Sequence, residues 1–281
     1  MAVVINTNVA SLGAQRTLNR TTQSLQKNIE RLSSGYRVNR AADDAAGLGI
    51  SENLRATIRS LAQAARNSND AISMLQVAES AMNEQAGILT RLRELSVQSA
   101  NGVLTAVERS YIDTEAQQLV AEVDRIAAVT EFNGVLMIAP GAAPIDMQVG
   151  LNATDVITVN FSASDALTLG TGAGGAALNT IDLGTSQATA QTALGLVDQA
   201  ITDLSTARST LGATQNRLEV TISNLDSARE NLAAANSRIR DVDVAAETAA
   251  MTKNQILSQA GVAVLAQANQ IPSAALSLLG G

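Results

Sequence analysis

Cysteine, histidine and tryptophan are absent from all 281 residues of this chain. Without thiols or imidazoles there is no thiolate nucleophile, no zinc site of the usual ligand set, no imidazole general base and no Ser-His-Asp triad. No catalytic residue, metal ligand or cofactor is therefore expected. Lack of cysteine fits a reducing cytosol and an exported protein without disulfides equally well. Aromatic residues amount to 1%, namely Tyr36, Tyr111, Phe132 and Phe161. A globular core of this size ordinarily relies on aromatic bulk. The apolar fraction here, 46%, is carried by Ala, Leu, Val and Ile instead, which suits thin helical bundles with small interdigitating side chains. No run is apolar enough to span a membrane, the most apolar tail being broken by Gln267, Asn269 and Gln270. Met1 to Asn8 lack the basic and apolar regions of a cleavable secretory signal. Neither a membrane association nor that export route is expected.

Positive charge is missing from a long central stretch. Between Arg125 and Arg208 there is no Lys or Arg, while Glu131, Asp146, Asp155, Asp165, Asp182, Asp198 and Asp203 supply a charge equal to the whole net −7. That pattern predicts an acidic, solvated excursion. Arg16, Arg20, Lys27, Arg31, Arg37 and Arg40 near the start face a single acid, Glu30. They are spread along a helix with no interleaved aromatics, so they predict a solvated face and no nucleic-acid partner.

What the chain does have is helical periodicity. Leu257, Gly261, Val264, Ala268, Ile271, Ala275 and Leu278 recur at alternating steps of four and three, and Leu18, Leu25, Ile29 and Leu32 hold a similar stripe near the start. Neither stripe can be buried alone, which predicts N- and C-terminal helices paired with each other and an outgoing and returning excursion between them. The first helix is expected over about 5–35, stopped by Ser33-Ser34-Gly35. A second, over about 44–98 and roughly 80 Å long at 1.5 Å per residue, is marked by Leu54, Ile58, Leu61, Ala65, Ser68, Ile72 and Leu75. After a one-residue shift its stripe continues through Met74, Ala78, Ala81, Gln85, Ile88, Leu92, Leu95 and Ser99. Asn101-Gly102 closes it, and a shorter helix is expected over 106–129. On the return, the column Val197, Leu204, Leu211, Leu218, Leu225, Leu232 and Ile239 is apolar throughout, while its companion Leu194, Ile201, Arg208, Gln215, Ile222, Arg229 and Asn236 is half polar. The companion column predicts either a wetted edge or arginines, Arg208 and Arg229, that set register against neighbouring helices or subunits.

Ile145, Met147 and Val149, then Ile157, Val159 and Phe161, alternate with polar residues on either side of a turn-rich segment and predict a β-hairpin. The run 170–175 is rich in Gly but lacks the Lys-Ser/Thr ending of a phosphate loop and reads as a flexible loop. Asp43 and Asp44, adjacent on a helix start, do not face each other and read as acids favoured by the helix dipole.

Several runs carry a family resemblance. Leu32-Ser33-Ser34-Gly35-Tyr36-Arg37-Val38-Asn39-Arg40-Ala41-Ala42-Asp43-Asp44-Ala45-Ala46-Gly47 resembles the N-terminal signature of bacterial flagellins. Arg91 to Asn101 is similar to the family's rod motif, and Glu131-Phe132-Asn133-Gly134 to its helix-to-hairpin junction. Ile239 to Asp243 and Leu265 to Pro272 resemble the C-terminal signature, so the likeness covers about 1–161 and 190–281. Tyr36 departs from it, standing where the family more often has an aliphatic residue.

The fold class expected is mainly α, an elongated antiparallel helical bundle or coiled coil with paired terminal helices and a small β-hairpin region. The divisions expected are 1–43 for an N-terminal axial helix, 44–131 for outgoing rod helices, 132–190 for the hairpin and a short variable region, 191–238 for the returning rod helix and 239–281 for a C-terminal axial helix. The resemblance implies a flagellar filament subunit for swimming, secreted to the cell exterior by the flagellum's own export apparatus with a chaperone. It also implies contacts with cap and hook-junction proteins and polymerisation through a terminal seam of Leu18, Leu25, Ile29, Leu32, Leu257, Val264, Ile271 and Leu278. In many members, positions matching Arg91, Leu95 and Glu115 form a surface bound by a vertebrate innate receptor. Two other readings share parts of this pattern: a hook-filament junction protein, and a cytoplasmic signalling coiled coil, which would carry neither the β-hairpin nor the terminal signatures.

Overall fold

The computed structural model describes residues 7–171 and 177–279, with side chains described as far as residue 270; most of the Gly-rich run and the side chains of Ile271 and Leu278 lie outside these. Among the described residues the order of elements is α1 (Val9–Ser34), α2 (Ala45–Ser99), α3 (Ala106–Val129), β1 (Glu131–Phe132), β2 (Val135–Leu136), β3 (Ile145–Gln148), β4 (Val156–Val159), α4 (Gln187–Arg240) and α5 (Val244–Leu279). The chain divides into two compact units, one of residues 1–58 with 230–281, the other of residues 59–229, and α2 and α4 contribute to both.

The helix ends are set locally. Asn8 caps α1 by accepting the Ser11 N–H at 3.0 Å, and Gly35, at φ 74°, ends it in the left-handed conformation that favours glycine. Asp44 accepts the Gly47 N–H at 2.8 Å at the start of α2, so it serves as a helix cap. Thr105 and Glu108 form a capping box on α3. Asp243 accepts the N–H groups of Ala245 and Ala246 where α5 begins.

In the unit 59–229, α2, α3 and α4 share one aliphatic core with Met74, Leu75, Met82, Leu89, Leu92, Val120, Val123, Val197, Leu204, Leu211 and Leu218. Each such side chain contributes about 1.5–3 kcal/mol on burial. The leucine column of α4 is the inward one, but its companion is not the half-polar column. Ala193, Ala200, Ala207 and Thr214 fill that place and are buried, because small side chains let the helices approach closely. Arg208 lies at the edge and reaches Glu79 on α2 at 3.7 Å. Arg229 pairs within its own helix, with Asp226 at 3.2 Å. Gln85, wholly buried, donates to the carbonyl of Val123 on α3 at 3.1 Å and to that of Ser164 at 2.9 Å.

The predicted hairpin is present, with Ile145 opposite Val159 and Met147 opposite Ile157. A smaller one precedes it, β1 with β2, turning on Asn133 and Gly134 at φ 51° and 79°, the pair of positive angles that Asn-Gly supplies. The stretch after β4 is not the solvated excursion that its charge predicts. Ala166, Leu169, Leu178, Ile181 and Leu183 are buried there, and Asp165 is only 5% exposed. Acids on the neighbouring helices bond its backbone instead. Asp124 accepts the Ala166 N–H at 2.7 Å, Asp113 that of Leu183 at 2.9 Å and Asp203 that of Gly170 at 3.0 Å. Carboxylates thus tie an irregular strap to α3 and α4, satisfying donors that would otherwise be buried unpaired.

Candidate assembly surface

In the other unit α1 lies antiparallel to α5. Asn8 donates to the Ala268 carbonyl at 2.7 Å and the Ser11 hydroxyl to Asn269 at 2.8 Å. Further along, Asn28 donates to Glu247 at 2.8 Å and accepts from Asn254 at 3.0 Å, while Arg31 stands 3.7 Å from the same carboxylate. Asn28 is 7% exposed. Leu18, Leu25 and Leu32 lie on this seam, half-buried. A Cβ on Gly261 would stand 3.2 Å from the Leu18 methyl, so the glycine provides the hollow into which that leucine fits.

The pairing face of α5 is turned from the expected one. Among the described side chains it runs through Glu247, Asn254, Ser258, Gly261, Leu265 and Ala268, and there it shares Gly261 and Ala268 with the aliphatic stripe seen in the sequence. Leu257 and Val264 are 46% and 55% exposed, and on α1 the inward residue is Asn28 while Ile29 is 51% exposed. The physical reason is that α5 is apolar on more than one side. Ile256, Leu257, Val262 and Val264 are all exposed, and Ala260, Ala263 and Ala266 lie between them. An apolar helix face is ordinarily buried, whereas α1 covers one side of α5 only.

The inner end of this helix pair is closed by two chain crossings. Arg37 and Val242 exchange backbone bonds with the other crossing, Arg37 N–H to Arg240 O at 2.6 Å and Val242 N–H to Gly35 O at 3.1 Å. Arg240 places its guanidinium 4.5 Å from the centre of the Tyr36 ring and donates to Glu52 at 2.6 Å, which holds the Glu52 carboxyl below its usual range. Ser51 donates to Asn236 at 2.7 Å alongside. Tyr36 therefore works as a cation platform, a role no periodicity in the sequence could have signalled.

Family models for the bacterial flagellin N-terminal helical region and the bacterial flagellin C-terminal helical region match residues 5–140 and 194–279. The chain belongs to the bacterial flagellins. It is 47% identical over 289 residues to the flagellar filament 33 kDa core protein of Treponema phagedenis, covering 99% of this chain and 100% of that one. Its identity to a flagellin of Halalkalibacterium halodurans is 46% over 277 residues, with the same coverage. Among solved structures it is similar to Bacillus cereus flagellin, at 33% identity and a TM-score of 0.50 over 61% of this chain and 94% of that one. It is also similar to a putative flagellar hook-associated protein from Vibrio parahaemolyticus, at a TM-score of 0.62 over 71% of this chain and 100% of that one. At 17% identity, that second likeness concerns the fold alone. This flagellin is a structural subunit of the flagellar filament.

The rod residues singled out in the sequence fall into two groups. Arg91 joins Glu115 at 2.8 Å and Glu94 at 2.9 Å, and all three are about half exposed. Its guanidinium is held above its usual range, first by Glu94 and then by Glu115. Leu95 is 1% exposed and belongs to the core.

Proposed function

We propose that α1 and α5 carry the contacts between copies of this chain in the filament. The observation that supports this is the aliphatic surface of α5, with Ile256, Leu257, Val262 and Val264 at 61%, 46%, 55% and 55% exposure, which a filament of like subunits would cover. Val264→Asp tests it. A charge at an exposed position changes a monomer's stability little, whereas burying it unpaired between subunits is costly. The variant should be a helical, soluble monomer that fails to polymerise, and normal filaments from it would remove the assignment.

On the same reading the chain leaves the cell unfolded, through the flagellum's own export apparatus and with a chaperone. It is then placed beneath the cap, beyond the hook-junction proteins, in a filament outside the cell. The thin terminal seam supports this route, since such a pair unfolds at little cost. We read the protein as without catalytic activity, in keeping with membership of a family of structural subunits. For an innate receptor of a vertebrate host, the Arg91 and Glu115 pair is the accessible part of the surface that the family likeness assigns, with Leu95 supporting it from within.

A further inference from the structure

We propose that Asn28, with Asn254 and Glu247, sets the register in which α1 and α5 pair and so fixes the composite surface that a second copy of this chain binds. The second half of this statement rests on the terminal helix pair being the assembly surface. Most of the seam discriminates poorly between registers. One column of it on α1 is leucine at every seventh residue, Leu18, Leu25 and Leu32, with Leu18 set against Gly261. A slip of one heptad would bring leucine to leucine's place in this column.

Asn28 breaks this degeneracy. It uses its carbonyl for the Asn254 amide at 3.0 Å and its amide for the Glu247 carboxylate at 2.8 Å, and those two partners are themselves seven residues apart on α5. Only the observed register gives Asn28 both at once. A slip of one heptad in one direction keeps Glu247 but sets Asn254 against Thr21, the residue seven before Asn28, whose shorter side chain already donates to the Thr17 carbonyl at 3.0 Å. In the other direction it keeps Asn254, strands Glu247, and moves Leu18 from the hollow at Gly261 onto Ala268, whose Cβ fills that space. Either slip takes one of its two partners from Asn28, which is 7% exposed, and a lone polar residue at a seam position is the device by which helix pairs choose a register. The consequence reaches the outer face. One heptad moves Leu257 and Val264 past Leu12 and Ile29 by about 10 Å at 1.5 Å per residue, so a slipped chain would present a different surface to its neighbour.

The chain has no cysteine of its own, which makes a thiol test clean. Ser11→Cys with Asn269→Cys reports the observed register, in which those side chains meet, and Ser11→Cys with Val262→Cys reports a slip of seven. The full-length chain is oxidised in filaments or, where it stays soluble, as monomer with trimethylamine oxide to strengthen burial. With Asn28 and Asn254 intact, the first pair should link about tenfold more than the second, a preference of the size one unsatisfied amide imposes. Asn28→Leu with Asn254→Leu should reduce that preference to about threefold or less. An undiminished preference in the leucine variant would overturn the proposal. So would failure of both pairs to link in that variant, which would make the polar layer a requirement for pairing and not for register. Val264→Asp carrying the first cysteine pair separates the two halves: normal polymerisation removes the assembly reading, whatever the register result.

Discussion

Gly261 and Leu95 show how differently single positions respond in this chain. Gly261→Leu would drive a side chain into Leu18, which already stands 3.2 Å from the Cβ position; overpacking of this kind costs about 1–3 kcal/mol. The expected outcome is loss of polymerisation with the melting of the 59–229 core unchanged, followed by sedimentation and by circular dichroism. Leu95→Ala opens a cavity in that core and should lower stability by about 2–5 kcal/mol, read by urea titration. Arg91→Ala removes only half-exposed ion pairs and should leave the melting temperature nearly unchanged. Receptor signalling that survives Arg91→Ala in folded monomer would remove that residue from the receptor surface. Leu18, Leu25 and Leu32 were legible as a seam because their spacing of seven has one meaning in a helix. Ile29, Leu257 and Val264 were not, because periodicity locates apolar stripes but does not say whether a stripe faces the same chain or another. Asn28 gave no signal, since a polar residue on an apolar stripe looks like a defect until its partners are seen.

At the scale of elements, helix positions were readable because 3.6-residue periods and caps are local, and α3 occupies 106–129 as its pattern required. The strap, described over 160–171 and 177–186, was not legible, since a backbone N–H bonded to an aspartate on a distant helix leaves no periodic trace in either segment. Asp113→Ala should cost about 1–2 kcal/mol by orphaning the Leu183 N–H. Hydrogen exchange should then quicken at Leu183 and its neighbours, with Asp113→Asn, which keeps an acceptor, behaving close to the parent. The carboxyls of Asp43, Asp182 and Glu108, at such local sites, lie below their usual range. Asp182 is lowered by the Thr185 hydroxyl and then by the Thr185 and Gly184 N–H groups, and Glu108 by the Thr105 N–H and then its hydroxyl. A lowered folded value means that the stabilisation is complete above the unfolded value and is lost as pH falls through the folded one. The melting temperature should therefore be flat near neutrality and fall below about pH 4. Asp182→Asn with Glu108→Gln should flatten that fall, and an identical acid profile would assign it to other groups.

For the whole molecule, the contrast between its two units matters most. Residues 59–229 hold a continuous aliphatic core, whereas the described part of the α1 and α5 pair buries little beyond Asn28 and Ala268. Ordering a residue costs about 1–2 kcal/mol, so the terminal pair is stabilised only weakly by its own contacts. Brief protease treatment should remove α1 and α5 from monomer while sparing the core, and filaments should resist; equal resistance in both forms would show that the pair is stable alone. The aliphatic character of the exposed α5 surface also fixes the thermodynamic sign of growth. Covering Ile256, Leu257, Val262 and Val264 releases ordered water in place of neutralising charge, so incorporation should carry a negative heat-capacity change and draw its driving force near room temperature chiefly from solvent entropy. Cooling should then raise the concentration of free subunits in equilibrium with filament ends, and sulfate should lower it, the reverse of the response of a polymer held together by ion pairs.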